Sequence, residues 1–267
     1  MQNLLLFVRR YLQCLLGSIY FFLGGVLRKR HRPLLYYLSL HFGFEKDTID
    51  PNAKPAPTVP QVDATTLFND STQVQISRVA SANGNISPAE LLFIAAFVNQ
   101  QQPLACFEIG TFDGRTTQNI AANQPANGIC YTLDLPPTDL SSTALPLAGG
   151  DSTYVDKPTS GARIAEQLHE SGRIVQLYGD SGTFDFTPYH DKIDLMFVDG
   201  SHSYEYVLSD TEHAWKMVKS GGIILWHDYD SKWWPGVTRA LNELQRNSRF
   251  TTMRHISGTA LCYIKKP

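Results

Sequence analysis

The sequence predicts an α/β fold: a doubly wound sheet, mostly parallel with an antiparallel C-terminal strand, plus a hydrophobic N-terminal helical segment. Three observations predict it. Short apolar runs alternate with helical patterns from residue 88 onward. The first run, Leu104–Ile109, passes through a glycine-bearing turn into a helix that opens near Gly114. Successive runs then end at or beside an acid: Glu108, Asp134, Asp180, Asp199 and Asp228.

The bulk properties set limits. A chain of 267 residues can bury a full core and still carry an extension. Its formal net charge of −2 gives the chain as a whole no nucleic-acid signature. Cys14, Cys106, Cys130 and Cys262 form no C-x-x-C pair, and the last three lie in apolar, strand-like runs. Buried free thiols are the better reading, which suits a reducing, cytoplasmic compartment.

In chain order, residues 1–49 form a hydrophobic and basic segment. Tyr11–Leu27 is 17 residues without a charge, followed by Arg28, Lys29, Arg30, His31 and Arg32. As a helix the run reaches about 25 Å, short of the ~30 Å hydrocarbon core of a bilayer. A signal peptide would need a cleavage site that the sequence lacks. A single membrane anchor, a monotopic helix or hairpin at an anionic surface, and a hydrophobic helix packed on the domain or on another subunit all remain open. Residues 50–61 carry four prolines between Asp50 and Pro60 and read as a linker. The domain proper is expected over 62–267, with its core from 85. Val62–Gly84 is ambiguous, one or two short helices.

Ser87-Pro88-Ala89-Glu90 is a capping box with proline at the first helical position, and the apolar helix it starts should lie on the sheet. Strands are then expected at Leu104–Ile109, Ile129–Leu133, Ile174–Tyr178, Ile193–Val198 and Ile223–Trp226. Helices are expected at Gly114–Asn123, Ser160–Glu170, Tyr204–Lys219 and Val237–Arg246, before two final strands near Phe250–Ile256 and Ala260–Ile264. The Pro-, Ser- and Gly-rich stretch 136–158 is too long for an ordinary connection and reads as a loop or lid.

In an open α/β sheet ligands bind outside the carboxyl ends of the strands, where these acids fall. Helix N-caps would account for only one or two of them. The pieces FEIGTFDGRTT at 107–117, YTLDLPP at 131–137, LYGDS at 177–181, DLMFVDGSHSYEYVLSD at 194–210 and GGIILWHDY at 221–229 resemble the class I S-adenosylmethionine-dependent methyltransferases. Within that Rossmann-like superfamily they look like the small-molecule O-methyltransferases and cephalosporin-hydroxylase-like proteins. The likeness covers roughly residues 85–267.

The resemblance implies roles. Glu108, Gly110, Thr111 and Gly114 would form the turn that seats the methionine end of S-adenosylmethionine. Asp134 would accept both ribose hydroxyls, having two oxygens for two donors. Asp180 with Ser181 would take the adenine amino group. Asp199 and Asp228 stand where relatives bind Mg²⁺. His227 stands where some relatives carry a carboxylate, which points to a softer divalent ion or to none.

His202 is either the general base, with Asp199 and His227 the other catalytic candidates, or the support of a strand-end carboxylate. Tyr204, Tyr206, Trp226, Trp233 and Trp234 are candidates for the acceptor pocket or for packing. Arg115 and Arg163 are candidate anion contacts. The leading expectation is O-methylation of a small molecule, sugar or lipid-linked glycan, at a membrane surface or in a homo-oligomer. A metal-dependent hydroxylase- or hydrolase-like enzyme, and a non-catalytic tethered binding protein, are the alternatives.

Overall fold

The structure, a computed structural model, describes residues 2–24, 27, 55–69, 71–80, 82–157 and 159–267. The chain divides into two compact units, Met1–Ala53 and Lys54–Pro267. The first contains one long helix, α1 (Gln2–Leu23). The basic run 28–32 and Pro33–Phe44 lie outside the described residues, as does the side chain of Cys14.

The second unit runs β1 (Gln61–Val62), α2 (Pro88–Gln101), β2 (Ala105–Ile109), α3 (Arg115–Asn123), β3 (Ile129–Asp134), α4 (Ser152–Val155), α5 (Glu166–Glu170), β4 (Ile174–Tyr178), β5 (Ile193–Val198), α6 (Tyr204–Met217), β6 (Val218–Trp226), α7 (Pro235–Gln245), β7 (Arg254–Ile256) and β8 (Cys262–Lys265). The strands form one eight-stranded sheet in the order β1-β7-β8-β6-β5-β2-β3-β4. β4, β3, β2, β5 and β6 are parallel, and β8 is antiparallel to both β6 and β7. The order reverses at β2, so β2 and β5 flank the switch point where doubly wound sheets bind ligands.

Strand parity assigns the two layers. Phe107 and Ile109 of β2 face the layer built with Val207, Met217, Val237 and Leu241 of α6 and α7. Cys106, one residue off, faces Leu91, Ile94 and Ile120 of α2 and α3. The capping box at the start of α2 forms as expected: Ser87 Oγ accepts from the Glu90 amide and Glu90 Oε2 from the Ser87 amide at 2.8 Å. Cys106, Cys130 and Cys262 are buried free thiols.

Three expectations change. The proline-rich stretch 50–61 is not a spacer throughout, because its second half is bound into the fold. The buried Tyr229 hydroxyl accepts from the Thr58 and Val59 amides at 2.8 and 2.9 Å and donates to Asn242 Oδ1 at 2.6 Å. Beyond it β1 pairs in parallel with β7 and closes the sheet edge. Among the described residues of 62–84 the helical structure is a single 3₁₀ turn, Ala64–Thr66. The helix expected over 160–170 shrinks to α5, because the Gly161 and Arg163 amides are taken by the carbonyls of Phe112 and Asp113, on the turn after β2, at 2.9 and 2.7 Å.

Tyr229→Phe should therefore lower unfolding free energy by about 1–3 kcal/mol, because it leaves the buried Val59 amide without an acceptor, whereas the Thr58 amide keeps Asn242 Oδ1. Denaturant titration checks this, with hydrogen exchange accelerating first around residues 58–62. A variant as stable as the wild type would show that the 58–62 segment is not anchored through this hydroxyl.

Candidate functional site

Gly110 ends β2 with φ at 98°, and a Cβ there would stand 2.0 Å from the carbonyl oxygen of Asp199, at the end of β5. Only glycine permits this approach of the two turns. Above it opens a cleft of about 260 Å³. Its walls bring together Gly110, Asp134, Asp180, Ser181, Asp199, His202, His227 and Asp228, from the ends of five strands. The 136–158 stretch roofs it through Leu147, Asp151, Tyr154 and Val155.

Three sequence-expected residues, Glu108, Thr111 and Gly114, do not line the cleft. Strand parity turns Glu108 away from it and under α3, where it accepts from Thr117 Oγ1 and, at 2.6 Å, from Thr132 Oγ1. Burial pushes its carboxyl up to about 8, against the pull of these two hydroxyls, and Oε1 has no partner. Thr111 is buried in the same network, 2.7 Å from Thr132 Oγ1. Gly114 lies beneath Gly161 and Ile164. Arg115 and Arg163 are likewise structural: Arg115 donates to the carbonyls of Arg78, Val79 and Ile86, and Arg163 to Asn85, Asp113 and Ala80.

At the rim, Asp134 is met by Lys157 Nζ at 2.7 Å and by the Ser160 hydroxyl, both on Oδ2. Asp180 is engaged at both oxygens: Tyr206 Oη at 2.6 Å and the Gly182 amide at 2.8 Å on Oδ1, the Ala144 amide at 2.6 Å on Oδ2. It thereby pins the roof to α6 and leaves Ser181 facing the cleft.

The opposite wall is a mesh of carboxylates and imidazoles. His202 Nδ1 lies 2.6 Å from Asp151 Oδ1 and Nε2 2.9 Å from Asp228 Oδ2, with the ring stacked on Trp234 at 4.0 Å. Burial opposes a charge on this ring, yet the two carboxylates prevail and raise it to about 9. Doubly donated and charged, it has no lone pair for a substrate proton, so the supporting role displaces the general-base role.

His227 Nδ1 is 3.1 Å from both Asp199 Oδ1 and Asp228 Oδ2, and Nε2 is 3.4 Å from Glu90 Oε2. Burial disfavours its charge too, and the flanking carboxylates hold it well above the usual histidine range. Asp228 is driven down despite burial by the two histidines, whereas burial raises Asp199. Asp199, His202 and Asp228 each offer a ligand atom within 4.8 Å of the others. Among the described residues this metal-like set uses His202 where the sequence pointed to His227.

No motif or spacing marks Asp151 or Lys157, which reach the site from the interior of the long loop. Glu90 was visible as a helix cap, but nothing in the spacing placed it against His227. Trp234 and Tyr206 line the cleft. Trp233 is 72% exposed, Trp226 is core and Tyr204 bonds Glu243.

Residues 107–229 match the family model of a methyltransferase domain. A crystal structure of the calicheamicin methyltransferase CalS11 superposes with a TM-score of 0.51 at 20% identity, over 66% of this chain and 78% of that one. An O-methyltransferase from Bacillus cereus, solved with S-adenosylhomocysteine, gives 0.47 at 15% identity, over 69% of this chain and 84% of that one. Uncharacterized protein R132 of Acanthamoeba polyphaga mimivirus is 42% identical over 53 residues, 20% of this chain and 24% of that protein's length. The chain thus spans about a quarter of the curated relative it matches.

The raised Glu108 carboxyl has a consequence for stability. The folded state holds a proton up to pH about 8, while an unfolded glutamate releases it near the ordinary value of 4.5. Between those values the folded state binds more protons, so stability falls as pH rises. Glu108→Gln should flatten that slope in denaturant titrations from pH 5 to about 8.5. Parallel profiles for the two proteins would show that Glu108 is ionised in the fold.

Proposed function

We propose that residues 107–229, which match a methyltransferase-domain model, act as a class I S-adenosylmethionine-dependent methyltransferase, and that the chain methylates a hydroxyl of a small-molecule or glycan acceptor. The observation that carries this is the cleft at the β2–β5 switch point, with a glycine floor and Asp134 on its rim. The residues fit the cofactor. Gly110 lets the turns after β2 and β5 close on each other and form the cleft floor, which a Cβ against the Asp199 carbonyl would prevent. Asp134 offers a carboxylate to a diol, and Ser181 faces the wall beside it. The cofactor, when bound, supplies a methyl group on a positively charged sulfur. Glu108, Thr111, Thr117 and Thr132 brace the turn from beneath, through the hydrogen bonds between β2, α3 and β3.

The rest of catalysis is positioning. Asp151 and Asp228 hold the His202 ring between them, and Trp234 covers its face. Asp199, whose affinity for a proton burial raises, faces the cleft and takes the proton leaving the acceptor hydroxyl. Tyr154, Phe112 and Trp234 supply aromatic walls suited to a planar or sugar ring. The roof and these walls exclude water from the reacting atoms.

Asp199, Asp228 and His202 Nε2 also form a donor set for a divalent ion. Two carboxylate oxygens and an imidazole favour Mn²⁺, Fe²⁺ or Zn²⁺ over Mg²⁺. Such an ion would act as a Lewis acid on the acceptor oxygen. It would also take Nε2 from its contact with Asp228.

Calorimetric titration with S-adenosylmethionine should show one site per chain, and no heat of binding would overturn the proposal. Asp134→Ala should weaken the affinity about ten- to a hundredfold, the equivalent of one or two charge-assisted hydrogen bonds. Unchanged affinity would remove Asp134 from the ribose site. A labelled-methyl acceptor screen, run with and without chelator, tests the metal: transfer that persists undiminished in chelator would count against the Asp199–His202–Asp228 set.

A further inference from the structure

Helix α1 carries an apolar surface that the proposed chemistry does not use. Its exposed large apolar side chains, among them Tyr11, Leu12, Leu15, Leu16, Ile19 and Leu23, are 47–83% exposed. At about 100° per residue they all fall within roughly half of the helix circumference. The other half carries Gln13, Gly17 and Ser18, with Phe21 buried. Exposed Arg9 lies at one margin of the apolar half, beside Leu16 and Tyr20.

Length alone would let the helix cross a bilayer, since 22 residues rise about 33 Å. Its described side chains, though, divide between an apolar half and a half that carries Gln13, Gly17 and Ser18. No helix among the described residues is long and apolar enough to cross a membrane. A half-apolar helix buries its face by lying in the plane of an interface.

Charge selects the partner. Residues 1–44 contain Arg9, Arg10, Arg28, Lys29, Arg30 and Arg32 and no aspartate or glutamate. Two copies of such a segment repel each other when they pack, whereas an anionic lipid surface attracts each one. We propose that α1 docks the chain flat on an anionic membrane surface, drawn there by the positive charge of residues 1–44, with its Leu12–Leu16–Ile19–Leu23 face toward the acyl chains. The docking is independent of what the cleft binds.

The test is flotation of the full-length chain with vesicles of phosphatidylcholine alone or of phosphatidylcholine with phosphatidylglycerol. The chain should float with the anionic vesicles, and added salt should release it. The double substitution Leu16→Glu and Ile19→Glu should cut the bound fraction about tenfold or more. Its S-adenosylmethionine titration should match that of the wild type, which separates lost docking from lost folding. Equal flotation with neutral vesicles, flotation that the double substitution leaves intact, or a concentration-dependent dimer that ignores vesicles would each overturn the proposal.

Discussion

At the switch point of the sheet the Gly110 backbone runs against the Asp199 carbonyl, so close that a Cβ would sit 2.0 Å from the oxygen. Much else follows from that contact. It locks the turn after β2 to the turn after β5, and the space above them becomes a cleft rather than a packed corner. The same two turns carry Asp199 and His202 to the cleft wall, and they set where α3 and α6 begin. α3 opens on Gly114, pressed beneath Ile164, so the chain returning from the roof is packed against the very turn it covers.

The second organising feature is electrostatic. Glu90 comes from α2, Asp151 from the roof, Asp199 and His202 from beyond β5, and His227 and Asp228 from beyond β6. Contacts of 2.6–3.4 Å join them into one mesh. Each charge, taken from water alone, would carry a large desolvation cost, and close pairing offsets it. The mesh therefore joins the roof to the strand ends and lines one wall of the cleft with Asp151, Asp199 and Asp228. Asp151 has a particular place in it, because it bonds Ser201 and the His202 ring at 2.6 Å and is the link that holds the roof down on this wall.

Much of this was legible in the sequence. The parallel strands were found because short apolar runs ended in Gly or Asp, and the acids at their ends marked the ligand edge. β1 was not legible: two residues behind Pro60 carry no periodicity, and they become a strand only because β7 offers an edge. Helix pattern over 160–165 gave way to tertiary hydrogen bonds with the turn after β2. For the site, the strand ends marked Gly110, Asp134, Asp180, Ser181, Asp199 and Asp228, and the fold brings these six to the wall of one cleft. It failed for Glu108, where the strand has not yet ended and parity points the side chain beneath α3. The partners of His202 and Asp134 lie in a long loop, and no local pattern fixes where a loop returns.

The cleft over Gly110 is the proposed cofactor site, with Asp134 as its ribose acceptor. In the structure Lys157 and Ser160 occupy Asp134 Oδ2, so a bound ribose must share that carboxylate or displace them. A crystal structure of the chain with S-adenosylhomocysteine tests this most directly. The expected result is the ligand above Gly110, its ribose hydroxyls on Asp134 and the Lys157 ammonium moved aside. A ligand bound elsewhere, or in the cleft without touching Asp134, would contradict it.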